Sequence, residues 1–189
     1  MNLTAGECIK CDQFAAAIVG NIDNRDFMDG RNTSRSPEKL FEDSAKGKRA
    51  EIFVAKVLSL SGIDSKLDFG VYKKGVGDDG DVIANGLSID VKASSLRAQY
   101  LIVEESRVNH WHCHGFPNYL CLVAVNKNQC QFVCGIPTAE FMVRANILLR
   151  SSNIPGTQTL LKANNYVIHK SSCHLHAEDM VAFIKRGTK

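Results

Sequence analysis

A chain of 189 residues with 44% hydrophobic and 23% charged side chains is long enough to bury one core without metal or disulfide staples. No run spans a bilayer, and residues 1–14 lack the basic, apolar and cleavage regions of a secretory leader, so an intracellular protein is expected. Seven cysteines, an odd number in a chain this large, argue against a secreted disulfide framework, and a net charge of +3 does not by itself announce a polyanionic partner.

In chain order, the apolar stretch Phe14 to Val19 predicts a short helix, followed by a turn-rich polar loop up to residue 35. Ser36-Pro37 then reads as a helix start, with Ser as the cap and Pro in the first turn. The helix runs on, with an expected break near Gly47, through Phe53, Val54, Val57, Leu58 and Leu60 to a stop at Gly62. Glu51 borders its apolar stripe. Residues 1–35 are taken as an N-terminal helix and loop extension, and 36–189 as the main domain.

From Lys66 the pattern changes to strands. Residues 66–74, 81–85 and 87–93 have strand composition, and Asn85-Gly86 is a strong signal for a two-residue hairpin turn. Residues 99–105 predict another strand, and 119–125 a strand covered on both faces that pairs with 130–136. Pro137 opens an expected helix to Arg150, residues 165–169 a short strand, and 177–186 a final amphipathic helix. This order predicts an α/β domain with a mixed central sheet flanked by helices.

Alternation along 87–94 puts Leu87, Ile89, Val91 and Ala93 on one face and Ser88, Asp90, Lys92 and Ser94 on the other. A two-residue turn sets Ala84 against Leu87, and therefore Asp81 against Asp90. Two carboxylates directly opposite repel one another. A divalent cation between them removes the conflict, because Mg²⁺ prefers oxygen ligands and is held by one or two carboxylates plus water and phosphate. Lys92, on the same face, suits the orientation of a water and the neutralisation of charge on a phosphate. Charge is also unevenly spread: residues 51–81 carry four Lys/Arg against six Asp/Glu, and residues 82–189 carry eleven against six.

Glu51 on a helix, Asp81, and Asp90-Val91-Lys92 on a hairpin resemble the PD-(D/E)XK nuclease superfamily, which includes restriction endonucleases, some homing endonucleases and Holliday-junction resolvases. The resemblance covers residues 45–95 and implies a restriction-endonuclease-like fold and a metal-dependent deoxyribonuclease that hydrolyses DNA phosphodiesters. It implies Asp81, Asp90 and the Val91 backbone carbonyl as metal ligands, and Glu51 as a direct or water-mediated ligand. Lys92 would act on the attacking water. Mg²⁺ is the implied ion, with Mn²⁺ as a substitute, DNA the partner, a homodimer the assembly, and the cytoplasm or nucleoid the location. Gly80 stands where the family commonly has Pro, which makes Asp78 and Asp79 rivals of Asp81. Branched-DNA resolution, a nucleic-acid-binding module without catalysis, and a zinc-stabilised regulatory module are the alternatives.

Lys73, Lys74, Ser94, Ser95 and Arg97 are candidate nucleic-acid contacts by proximity to the motif, and Arg107 and Arg144 by charge. Cys8 and Cys11 form a C-x-x-C pair that Cys130, Cys134, Cys173, His174 or His176 could complete as a Zn²⁺ site, although nothing in the sequence brings a second pair to the first. Free thiols are the preferred reading. His110, His112 and His114 share one face if residues 109–116 are extended; the plainer expectation is a segment end with Trp111 packed inward.

Overall fold

The computed structural model describes residues 1–21, 36–70 and 81–187. Among these, five strands build a mixed sheet: β1 (Ser65–Leu67), β2 (Val82–Ala84), β3 (Leu87–Ser94), β5 (Tyr119–Asn126) and β6 (Gln129–Pro137), side by side in that order. β3 and β5 are parallel, and the other neighbours antiparallel. The parallel step requires a crossover. It is made by β4 (Tyr100–Glu104) and helix α3 (Glu105–His114). β4 joins β8 (Asn165–His169) and β7 (Asn146–Leu148) in a second, antiparallel sheet.

The central sheet is buried on both faces. α1 (Ala5–Asn21), α2 (Pro37–Leu60) and α5 (Ala177–Arg186) cover one, where Cys11, Phe53, Val54, Leu58, Met180 and Ile184 meet Val82, Ile89 and Val91. On the other, Leu120, Leu122 and Ile136 meet Leu101, Val108 and Trp111, together with Phe141 of α4 (Thr138–Arg144). β5, with residues 119–125 all buried, is the strand covered on both sides.

α2 begins as expected: Ser36 Oγ accepts from the Lys39 backbone N–H at 3.2 Å and Pro37 occupies the first turn. It shows no break at Gly47, because the buried stripe from Ala45 to Leu58 holds one straight element together. Two helical expectations change. The helix expected from Pro37's later counterpart, Pro137, ends at Arg144, and the chain turns extended into β7. Residues 109–116, read as a loop or strand end, are helical as far as His114, within α3. The N-terminal residues join the main core: Leu3 and Cys11 are buried in it, and Asn2 bridges to Gln129. No helix among the described residues is long and apolar enough to cross a membrane.

Candidate metal and phosphate site on the β2–β3 hairpin

Asn85 and Gly86, at φ +49° and +75°, form the turn with two positive central φ values that matches strand twist. Ala84 then pairs with Leu87, Ile83 with Ser88 and Val82 with Ile89. One further step along this register sets Asp81 opposite Asp90. β2 has ended by that point, and the Asp81 carboxylate takes over the ladder: its Oδ2 accepts the Val91 backbone N–H at 2.6 Å. An unpaired strand N–H is thus satisfied by a side chain.

Asp90 is only 2% exposed. A buried carboxylate requires a partner, and two cations supply it. Lys92 Nζ donates to Oδ1 at 2.9 Å and also lies 2.6 Å from Oδ2, there without the alignment of a hydrogen bond. Arg107, from the first turn of α3, brings its guanidinium to 3.5 Å of Oδ1. Both Asp90 oxygens are thus in contact with the Lys92 ammonium, and a metal ion bound at Asp90 would have to displace it from one of them. Both carboxylates are close enough to Cys121, on the neighbouring strand, to raise its thiol pKa further after burial has already pushed it up.

Glu51 is held by a cation of its own helix. Its carboxylate is buried with Lys48, one turn earlier on α2, at 2.6 Å. Lys48 in turn donates to the Asp68 carbonyl at 2.5 Å and lies 4.7 and 5.5 Å from the centroids of the Phe14 and Phe69 rings. This is a closed charge pair lined by aromatic faces. Among the described residues no three His, Cys, Asp or Glu side chains gather as a metal-holding group. Strand alternation brings Asp90 and Lys92 together and Asp81 accepts the Val91 N–H between them, while Glu51 is ion-paired with Lys48 of its own helix. Lys48 was legible: it stands three residues before Glu51, on the same helical face.

Of the candidate nucleic-acid contacts, Ser94 is half-buried at the end of β3, and Ser95 and Arg97 are exposed in the turn that follows. Lys73, Lys74, Asp78 and Asp79 lie outside the described residues. Arg107, singled out only by its charge in the sequence, reaches the site because α3 follows β4 on that face. An open cleft of about 360 Å³ lies between α1, α2 and β1, lined by Glu7, Lys10, Lys56, Asp64 and Phe69 among others; Asp81, Asp90 and Lys92 do not line it.

All seven cysteines are free thiols. Cys8 and Cys11 lie on α1, and Cys130 lies near Cys8, its Sγ donating weakly to the Arg49 carbonyl at 3.8 Å. Cys134 and Cys173 pair on the opposite face of the sheet, so the C-x-x-C pair meets no second pair. Trp111 packs inward at 3% exposure, as expected. The histidines do not share one face: on a helix His110 and His114 stack, while His112 turns to Phe116. No protein-family profile matches the chain, and no curated protein is significantly similar to it.

Proposed function

We propose that this protein is a metal-dependent endonuclease of the restriction-endonuclease-like type that hydrolyses DNA phosphodiesters. The observation that carries this reading is the buried Asp90 carboxylate, set by hairpin register opposite Asp81 and held by Lys92 and Arg107. Asp81, Asp90 and the Val91 carbonyl are the residues that would hold Mg²⁺ or Mn²⁺. When bound, such an ion polarises a phosphoryl oxygen, lowers the pKa of a bound water and steadies the leaving oxygen.

The chain's own residues supply positioning and charge. Asp81 is anchored by the Val91 N–H, which fixes its carboxylate at the mouth of the hairpin. Lys92 is partly exposed, so its ammonium borders both Asp90 and solvent, where a phosphate oxygen or an attacking water would lie. Arg107 adds a second cation on the same side, which favours a phosphodiester over a neutral substrate. Glu51, paired with Lys48, would reach such an ion only by exchanging that partner for the metal or a metal-bound water.

The test is incubation of linear, branched and single-stranded DNA and RNA with Mg²⁺, Mn²⁺ or EDTA. Metal-dependent cleavage that is lost in Asp90→Ala and Lys92→Ala supports the proposal, and preference for four-way junctions identifies a resolvase. If wild type cuts nothing, or cuts no differently from Asp90→Ala, the catalytic reading is wrong. One observation favours binding without catalysis: Glu51 is ion-paired with Lys48, and among the described residues no three acids gather as a metal-holding group. Salt-sensitive DNA binding without cleavage is its signature.

A further inference from the structure

We infer that the C-terminal turn of α3 is a second metal site, which binds a borderline divalent transition metal such as Zn²⁺ through His110 and His114. The two residues are four apart on a helix, so they project from the same face one turn above the other. Their rings stack with centroids 4.1 Å apart and planes 15° from parallel. Zn–N bonds of about 2.0–2.1 Å bridge nitrogens up to about 4 Å apart. A small splay of the rings therefore turns a nitrogen of each toward one ion.

The tautomer is already set at His114. Its Nδ1 lies 3.0 Å from the His110 backbone carbonyl. A carbonyl only accepts, so Nδ1 carries the proton and the Nε2 lone pair faces away from the backbone. Metal-ligating histidines are oriented in this way, by donating their other ring nitrogen to a carbonyl. The position adds an electrostatic contribution, because the last turn of a helix presents unsatisfied carbonyls and the negative end of the macrodipole, which favours a cation. His114 is exposed and His110 half-buried, so water completes the coordination. His112 points instead to Phe116, with its ring 4.9 Å away and edge-on. The site is independent of the hairpin and of the nuclease reading, but it clamps the helix that carries Arg107.

The test is calorimetric titration of the full-length protein with Zn²⁺ alone, in a Cys113→Ser background so that the exposed thiol of that turn does not bind the ion itself. One Zn²⁺ per chain in the micromolar range is expected, weakened about tenfold or more in His110→Ala and in His114→Ala and unchanged in His112→Ala. Zn²⁺ is also expected to raise the melting temperature of the parent but of neither ligand variant. Circular dichroism confirms that each variant is folded. Affinity that survives both ligand substitutions, or that falls equally in His112→Ala, overturns the site.

Discussion

At Asp90, a carboxylate almost wholly removed from water depends chiefly on the flexible Lys92 ammonium, with Arg107 farther off. Removing the partner of a buried charge costs far more than the pair itself contributes, about 3–5 kcal/mol when nothing replaces it. Lys92→Met is therefore expected to destabilise the protein by about 2–4 kcal/mol, at the lower side of that range because Arg107 remains at 3.5 Å. Asp90→Asn combined with Lys92→Met recovers much of the loss. Urea unfolding of the two single variants and the double variant measures the coupling, and additive effects would contradict it. The same reasoning applies to Lys48, 5% exposed and bound to Glu51: Lys48→Met strands a buried carboxylate and is expected to cost about 3 kcal/mol. Cleavage, by contrast, is expected to be lost at Asp90 and Lys92 and to track only stability at Lys48. At this scale the sequence showed which residues come together at the hairpin, because Asp81, Asp90 and Lys92 are tied by strand alternation and a two-residue turn. It did not show that Glu51 is taken by Lys48. Whether a helical Glu turns to its own helix or to a neighbouring strand is decided by packing, here by Phe14 and Phe69 closing over the ammonium.

At the level of elements, the hairpin sets the register on which the site depends. Gly86 at φ +75° meets no neighbouring side chain, so Gly86→Ala introduces backbone strain and no clash. The expected loss is about 1–2 kcal/mol in denaturant unfolding. The N-terminal helix has its own device. Thr4 Oγ1 accepts from the Glu7 N–H at 3.2 Å while the Thr4 N–H donates to the Glu7 carboxylate at 2.7 Å, a reciprocal capping box, and Lys56 of α2 adds an ion pair at 2.9 Å. Burial alone would raise the Glu7 pKa; the Thr4 and Lys56 hydrogen bonds outweigh it and hold it below the ordinary value. A carboxyl depressed in the folded state contributes stability above its unfolded pKa and loses it as pH falls through the folded value. Glu7→Gln should flatten the acid limb of the stability–pH curve below the ordinary Glu pKa of 4.5. Element boundaries were read well where a local signal exists: Ser36-Pro37, Asn85-Gly86 and residues 177–186. They are less legible at 109–116 and 145–150, the first helical as far as His114 and the second extended into β7. There the local composition is ambiguous, and the parallel crossover and the second sheet decide between helix and strand.

At the scale of the whole molecule, two cores on either side of one sheet account for the cysteines better than a metal does. Burial pushes the Cys11 thiol from 9.0 to about 12 and the Cys130 thiol to about 11. A thiol that is neutral when folded and ionises more readily when unfolded contributes stability below the unfolded value, and that stability is lost as pH rises through the folded one. Stability should therefore decline between about pH 9 and pH 12, and Cys11→Ala should make the decline shallower, as followed by chemical unfolding at stepped pH. Alkylation at neutral pH should label Cys113, the exposed thiol, before any other, and reach buried Cys11, Cys121, Cys130 and Cys134 only on unfolding. Mass spectrometry of native and denatured samples distinguishes the two sets, and early labelling of Cys121 would contradict the buried arrangement.

The sequence by itself determined the mixed α/β class, the hairpin with its register, and the alternation that puts Asp90 and Lys92 on one face of β3. Each of these follows from contacts between residues close along the chain, where alternation and turn chemistry leave few choices. Only the tertiary structure decided that Arg107 joins Asp90, that Lys48 holds Glu51, and that His110 and His114 stack at the end of a helix. Those outcomes depend on which face of the sheet each later element covers. Long-range packing settles that choice, since the same local sequence satisfies its hydrogen bonds equally well in more than one place.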